Sequence, residues 1–199
     1  MSNVIKKRTE AKLPNTLSEK GKHKVEKYGW PYFKAGIIFT NGRGEFLLVR
    51  EAKEQQLQEN GEKEWVPTEN GKWNLPCGRL RKWENFYMAA SREGSEESGY
   101  DFDMGCIRHI GFRFDIDNPY IIVIYHADHP YDISITNPPN PEEIAEVGWF
   151  DYQEILDLHA ARQLRNPELT LSAVHNERAN VVIPEEAITV YNSKFAEGE

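Results

Sequence analysis

The chain has 199 residues, a formal net charge of −8 and two cysteines, which predicts one domain with appendages. The acidic balance argues against a nucleic-acid-binding surface, because such surfaces need basic patches. The sequence contains no run of about 20 apolar residues, so no membrane span is predicted. The charged N-terminus lacks the apolar core of a signal peptide and two cysteines are too few for a disulfide scaffold, so we expect a cytoplasmic protein with reduced thiols.

The predicted strands follow a polar arm. Residues 1–30 are rich in lysine and predict a loose arm or short helix that docks through Tyr28 and Trp30. The polar stretch 51–72 contains two Asn-Gly dipeptides and predicts a long loop. Runs of β-branched and aromatic residues between turn signals predict strands. In chain order these are residues 32–40, 45–50, 73–76, 105–114, 120–127 and 147–150.

Helical signals lie between and after these strands. Residues 85–98 predict a helix with Asn85 as its N-cap and Gly99 as its C-cap. Residues 151–165 predict a second helix, and residues 166–199 predict two weaker helical stretches. Strands precede and follow the first helix, an order that favours an α/β fold with a mixed sheet between helices.

Three carboxylates stand near the end of the first predicted helix. Glu93, Glu96 and Glu97 have the spacing i, i+3, i+4, which places them on one helix face. The C-terminal end of a helix carries partial negative charge and disfavours carboxylates. Arg92 supplies one positive charge and cannot balance three negative ones. A divalent cation that prefers oxygen ligands is the natural compensation.

The stretch from Gly78 to Tyr100 resembles the Nudix box of the Nudix hydrolases. The positions that match its polar and glycine pattern are Gly78, Glu84, Arg92, Glu93, Glu96, Glu97 and Gly99. One position departs from the pattern, because Gly94 stands where an aliphatic residue usually packs on the core. A glycine there leaves less apolar contact behind the glutamate face and costs about 1 kcal/mol of helix propensity relative to alanine.

The resemblance implies a Nudix-type α/β/α sandwich around the mixed sheet. It covers roughly residues 32–165, so we expect an N-terminal arm at 1–30, a Nudix hydrolase domain at 31–165 and a C-terminal helical extension at 166–199. The resemblance also implies a metal site, with Mg²⁺ as the expected ion and Mn²⁺ as the alternative. The implied ligands are the Gly78 carbonyl and the carboxylates of Glu93, Glu96 and Glu97. The implied catalytic residues are Glu93, Arg92 and Glu96.

Several residues around this group have two interpretations. The pattern makes Arg92 a brace for Glu84 or for a carboxylate of the metal face. Glu84 is either its partner or a favourable charge at the helix N-terminus, and the two roles are compatible. Glu143 and Glu146 are candidates for a further ligand or the general base, against the alternative of a charged loop before a strand.

Cysteine and aromatic residues near the predicted site have less specific signals. Cys77 is interpreted as a small buried thiol rather than a nucleophile, because no histidine lies nearby in sequence to activate it. Aromatic residues in strands mostly belong to the core, and we expect this for Phe112 and Phe114. Trp65 and Tyr120 have two alternative roles: they belong to the core, or they stack on a nucleobase of the ligand.

The function implied by the resemblance is Mg²⁺-dependent hydrolysis of the pyrophosphate bond in a nucleoside diphosphate linked to a group X. Nucleoside di- and triphosphates and nucleotide sugars fall in this class. The alternative is a catalytically silent module that binds a nucleotide as a sensor. The expected partner is a small-molecule nucleotide, without membrane or nucleic acid, and a homodimer is the candidate assembly.

Overall fold

The structure is a computed structural model of the chain. It describes residues 23, 32–57, 63–100, 102–113, 120–128 and 140–188. Apart from residue 23, the predicted arm at 1–30 lies outside the described residues, including Tyr28 and Trp30. The end of the C-terminal segment, after residue 188, also lies outside them.

The described residues form a seven-stranded mixed sheet and a separate two-stranded hairpin. The strands are β1 (Tyr32–Thr40), β2 (Phe46–Glu51), β3 (Lys53–Leu57), β4 (Lys63–Pro67), β5 (Trp73–Asn74), β6 (Cys77–Arg79), β7 (Met104–Arg113), β8 (Tyr120–Asp128) and β9 (Ile144–Phe150). The helices are α1 (Phe86–Ser98), α2 (Tyr152–Ala160) and α3 (Pro167–Arg178).

Strand β1 is the centre of the sheet and the place where the sheet divides. Along its whole length, β1 pairs in parallel with β8 on one side. On the other edge β1 pairs with β2 only at Thr40 and Phe46, and with β6 from Lys34 to Gly36. Strand β2 then turns away to pair with β5 and β9. A gap therefore opens between β2 and β6.

Helices cover both faces of the sheet, which confirms the predicted α/β/α sandwich. On one face, α1 buries Phe86, Ala89 and Ala90 against Ala35 of β1. On the other face, the helix pair α2 and α3 packs on Ile38 in a separate cluster. The residues that the pair contributes are Ile155, Leu169, Ala173 and Val174. The first helix of the predicted C-terminal extension thus belongs to the core of the sandwich.

Local signals located α1 correctly. The Asn85 side chain accepts a hydrogen bond of 2.8 Å from the Met88 N–H, as an N-cap does. Gly99 adopts a left-handed φ of 81° and ends the helix as the predicted C-cap. The helix predicted at 151–165 is shorter and ends at Ala160. Arg162 there adopts a φ of 59°, and the chain continues to a β-bridge between Leu164 and Trp73.

The prediction of a long loop at 51–72 is wrong, because this stretch contains the β3–β4 hairpin. Its strands pair antiparallel from Lys53 opposite Pro67 to Leu57 opposite Lys63. Both strands are mostly polar, so they lack the alternation of apolar and polar residues by which a half-buried strand is recognised. The pairing depends on backbone hydrogen bonds, which leave no trace in such a sequence.

Phe102 occupies the space behind Gly94 that an aliphatic side chain would fill. A Cβ atom on Gly94 would lie 2.5 Å from Cζ of Phe102 and 3.1 Å from Cγ2 of Ile37. The Phe102 ring also packs edge-on against Phe39, with 4.6 Å between ring centroids. The expectation of less apolar contact behind the glutamate face is therefore wrong, since an aromatic ring from outside the helix supplies it.

This arrangement predicts that residues 94 and 102 are coupled in stability. Gly94→Leu alone should overpack the site and cost about 1–3 kcal/mol, and Phe102→Ala alone should leave a cavity and cost up to about 3–5 kcal/mol. The double variant should be less destabilised than the sum, by about 0.5–3 kcal/mol. Urea unfolding of the four proteins measures this coupling, and strictly additive effects would show that the two side chains do not compete for one space.

Candidate active site

A cavity of about 890 Å³ lies in the gap between β2 and β6. Strands β1, β2, β5 and β6, helix α1 and the turn before α3 contribute to its walls. Its acidic residues are Glu51, Glu93, Glu96, Glu97 and Glu143. The division of the sheet therefore brings the three predicted glutamates of α1 to one cavity.

The guanidinium group of Arg92 uses all five of its N–H donors. Its Nε and Nη2 atoms donate to the two carboxylate oxygens of Glu84 at 2.6 and 2.9 Å. Nη1 donates to Glu93 Oε1 at 2.6 Å and to Glu96 Oε2 at 3.0 Å. Nη2 also donates to the Arg79 carbonyl at 2.9 Å. The brace predicted for Arg92 is present, and it holds Glu84 and two glutamates of α1 together.

Glu84 connects this brace to the loop before α1. Its Oε2 atom also accepts a 2.7 Å hydrogen bond from the backbone N–H of Arg81. The hydrogen bonds from Arg92 hold the pKa of the Glu84 carboxyl below its usual value, and Glu84 in turn raises the pKa of the guanidinium. Both groups are therefore charged at neutral pH, and Glu84 serves as the anchor of Arg92.

Gly78 leaves room for the Glu93 carboxylate in the position that it occupies. A Cβ atom at position 78 would lie inside the space of the Glu93 carboxylate. Burial raises the pKa of Glu93, although the charge and hydrogen bond of Arg92 oppose this effect. The backbone at Gly78 and the Glu93 carboxylate therefore lie close together, whereas the role of the Gly78 carbonyl as a metal ligand stays a prediction.

Glu97 lies deeper than its two companions. Its Oε2 atom accepts a 3.0 Å hydrogen bond from the backbone N–H of Cys77. Burial raises the pKa of Glu97 well above its usual value, and the negative charge of Glu93 raises it further. Glu93 and Glu97 are two buried carboxylates that repel each other, and Arg92 donates a hydrogen bond only to Glu93. A divalent cation would stabilise this pair.

Glu96 lies at the rim, with 45 % of its side chain exposed. Arg81 donates to both of its carboxylate oxygens, at 2.9 and 3.1 Å, in addition to the bond from Arg92. Among the described residues, no three Asp, Glu, His or Cys side chains converge closely enough to hold an ion as they stand. The metal set Gly78, Glu93, Glu96 and Glu97 therefore stays a prediction, supported by the oxygen chemistry of the donors and by the close approach at Gly78.

The structure separates the two additional glutamate candidates. Glu143 lies in the turn before β9 and lines the cavity. Glu146 lies within β9, outside the lining, and forms an ion pair of 2.9 Å with Arg50 of β2. Of the two candidates, Glu143 alone lines the cavity, and its role as a ligand or a base stays a prediction.

Cys77 and Tyr120 have structural roles. Burial raises the pKa of the Cys77 thiol to about 12, and Asn74 donates to its sulfur at 3.4 Å, so the thiol is protonated and poorly nucleophilic. Tyr120 is 3 % exposed and belongs to the core. The side chains of Trp65, Phe112 and Phe114 lie outside the described residues, so the core position of the two phenylalanines and the two alternatives for Trp65 stay predictions.

Six cationic residues of the cavity lining were not predicted, namely Lys34, Lys53, Arg79, Arg81, Lys82 and Arg165. Lys34 is a single charge in the otherwise apolar stretch YFKAGIIFT, a signal that could have identified it. Burial lowers the pKa of Lys34, and Arg165 and Arg79 lower it further. Arg165 forms an ion pair with Glu51. Its place in the cavity depends on the turn before α3, for which the sequence carries no specific signal.

The NUDIX domain family model matches residues 32–170 of the chain. The chain belongs to the Nudix family. Two curated relatives of this Nudix chain are the 8-oxo-dGDP phosphatase NUDT18 of Danio rerio, 26% identical over 128 residues, and the putative nudix hydrolase 1 of Caenorhabditis elegans, 31% identical over 103 residues. The matches cover 63% and 51% of this chain but 34% and 25% of those proteins, so the chain spans about a third or less of their length.

Solved structures share the fold of this Nudix domain. A NUDIX hydrolase from Nitrosomonas europaea matches with a TM-score of 0.58 at 20% identity, covering 79% of this chain and 95% of the other. The MutT protein from Methanosarcina mazei Go1 gives 0.54 at 21%, covering 75% and 95%. The Caenorhabditis elegans Ap4A hydrolase gives 0.52 at 18%, covering 75% and 97%. At these identities the likeness establishes the sandwich fold alone.

No helix in the part of the chain that the structure describes has the length and apolar character needed to cross a bilayer.

The five bonds of Arg92 predict that lysine cannot replace it. A lysine offers a point charge with three donors and no planar fork, so Arg92→Lys should lose about 1.5–3 kcal/mol of unfolding free energy. Arg43→Lys is the matched control, because Arg43 pairs with Glu45 on the surface and 62% of its side chain is exposed. The control should change stability by less than about 0.5 kcal/mol. Equal losses in chemical denaturation would contradict a special role for Arg92.

Proposed function

We propose that this Nudix domain is a Mg²⁺-dependent hydrolase that cleaves the pyrophosphate bond of a nucleoside diphosphate linked to a group X. One observation carries the proposal: a cavity in the divided sheet contains three glutamates of α1, and one arginine holds two of them. Water would add across the P–O–P bond and give a nucleoside monophosphate together with phosphate, pyrophosphate or phospho-X.

The metal is part of this proposal. The Gly78 carbonyl with Glu93, Glu96 and Glu97 would hold Mg²⁺, or Mn²⁺ in its place, because hard cations prefer oxygen ligands. When bound, the ion would neutralise charge on the diphosphate and make the attacking water more acidic. Glu96 is the most exposed of the three carboxylates. Its release from Arg81 would free Oε1 for this purpose, while Oε2 would still accept a hydrogen bond from Arg92.

The chain's own residues divide the remaining work. Arg92 orients Glu93 and Glu96 through short, charge-assisted hydrogen bonds. Glu143 is proposed as the base that accepts a proton from the attacking water, since it lines the cavity and its side chain forms no ion pair within the described residues. Its position on a turn rather than on α1 would let it approach the water independently of the other glutamates.

The identity of X is open within this class. The names of two similar proteins, an 8-oxo-dGDP phosphatase and an Ap4A hydrolase, indicate nucleotides of different size. Both kinds belong in a substrate panel for this chain, together with nucleoside triphosphates and nucleotide sugars. The cytoplasmic location and the homodimer stay predictions.

Incubation with this panel tests the proposal. Mg²⁺ or Mn²⁺ should permit release of a nucleoside monophosphate, measured by chromatography, and an excess of EDTA should abolish it. Activity that persists in EDTA would contradict the metal requirement. Binding of a nucleotide without turnover, measured by calorimetry in Mg²⁺, would favour the sensor module instead.

Glu97→Gln tests the role of the deepest carboxylate. The substitution keeps the shape but removes a charge from the site, so kcat should fall by about two to four orders of magnitude with a much smaller change in KM. The fold should persist, since burial already favours the uncharged form of Glu97.

Glu146→Gln is the matched control for this substitution. Its carboxylate lies outside the cavity lining, with 53% of the side chain exposed, so kcat should stay within about threefold of wild type. Steady-state kinetics and near-ultraviolet circular dichroism of both variants provide the comparison. A Glu97→Gln enzyme as active as the control would show that Glu97 is dispensable for turnover.

A further inference from the structure

Lys34 faces the cavity from the side opposite to α1. Successive residues of a strand point to opposite faces of a sheet. Ala35 packs against α1, whereas Ile38, which shares the parity of Lys34, packs in the cluster with α2 and α3. Lys34 therefore lies on the α2–α3 face, at the end of β1 where β6 pairs with it.

The Lys34 ammonium has no carboxylate partner within the described residues. Its Nζ atom lies 4.6 Å from the centre of the Tyr120 ring, a cation–π contact. Three glutamates of the same cavity have other partners: Glu51 pairs with Arg165, Glu93 with Arg92 and Glu97 with the Cys77 amide. Glu93 and Glu97 attract the ammonium group without forming a direct ion pair with it. A largely buried charge without a direct ion pair is unfavourable for folding, so its presence in the wall of a cavity indicates a ligand.

Polar groups from a fixed turn surround the same part of the cavity. The backbone of β5 exchanges two hydrogen bonds with the segment between α2 and α3, Trp73 N to Gln163 O at 2.8 Å and Arg165 N to Trp73 O at 2.9 Å. Arg165 and Asn166 thereby reach the cavity wall. Asn166 donates to the Asn74 side chain at 3.2 Å, which fixes both amides beside Cys77.

We propose that Lys34 is the centre of an anion subsite that binds a phosphate group of the ligand on the α2–α3 side of the cavity. Arg165 adds positive charge there, and the amides of Asn74 and Asn166 add polar contacts. The phosphate is either part of the scissile diphosphate or a further phosphate elsewhere on the substrate. As a statement about substrate recognition this rests on the proposed hydrolase function, whereas anion binding itself is testable without turnover.

Calorimetric binding of inorganic pyrophosphate in EDTA tests the subsite without metal or hydrolysis. Lys34→Met keeps the length of the side chain and removes the charge, so affinity should fall about tenfold or more. Lys34→Gln should show the same loss. Lys72→Met is the control, because Lys72 is exposed and does not line the cavity, and it should bind within about twofold of wild type.

Thermal melts distinguish a ligand-binding lysine from a structural one. Without ligand, Lys34→Met should melt at the same or a higher temperature than wild type, because it removes a buried charge that lacks a direct ion pair. Unchanged pyrophosphate affinity in folded Lys34→Met, or a wild type that binds no pyrophosphate, would overturn the proposal.

Hydrolysis of two added compounds that differ by one phosphate, such as ADP-ribose and its 2′-phosphate, separates the two sources of the anion. An equal fall in kcat/KM for both in Lys34→Met identifies the scissile diphosphate, and a fall for the 2′-phosphate compound alone identifies the additional group. A wild type that hydrolyses nothing in the panel would refute the proposed function, while the pyrophosphate titration would still decide the subsite.

Discussion

The geometry of the site depends on one constraint, the five hydrogen bonds that the Arg92 guanidinium donates. It joins β6, through the Arg79 carbonyl, to the loop carboxylate of Glu84 and to two glutamates of α1. Only 15% of the Arg92 side chain is exposed, so these bonds are poorly screened by water. Because one guanidinium contacts three carboxylates, this cluster keeps a net negative charge, which would favour a bound cation beside α1.

The parts of the fold that the sequence predicts are those with local signals. Helix α1 has a side-chain cap at Asn85 and a left-handed glycine at its end, and both act over a few residues. The β3–β4 hairpin has no such signal, because its pairing is a relation between two polar segments. The same distinction holds in the site. The offsets from Gly78 to Gly99 identify the glutamates, whereas Arg81 and Arg165 reach the cavity through tertiary structure that spacing does not encode.

The Gly94 position shows why the sequence pattern of one helix does not predict how well the core behind that helix is packed. Its missing side chain suggests a weakly packed helix, yet the Phe102 ring enters the same space from outside the helix. What a core requires is filled volume, and any neighbouring segment can supply it. The ring also rests on Phe39 of the central strand. The packing behind the glutamate face of α1 therefore depends on Phe102, which lies outside the Gly78–Tyr100 pattern.

The division of the sheet explains why one cavity contains groups of opposite charge. The two faces of strand β1 pack against different helices. Residues from both faces can line a common space only where β2 no longer pairs with β1. The α1 side brings glutamates, and the α2–α3 side brings Lys34 and Arg165. A cation bound on the first side and cations on the second would together attract a polyanion and align it along the cavity. The orientation of a diphosphate would then follow from the topology of the strands, before any contact with the group X.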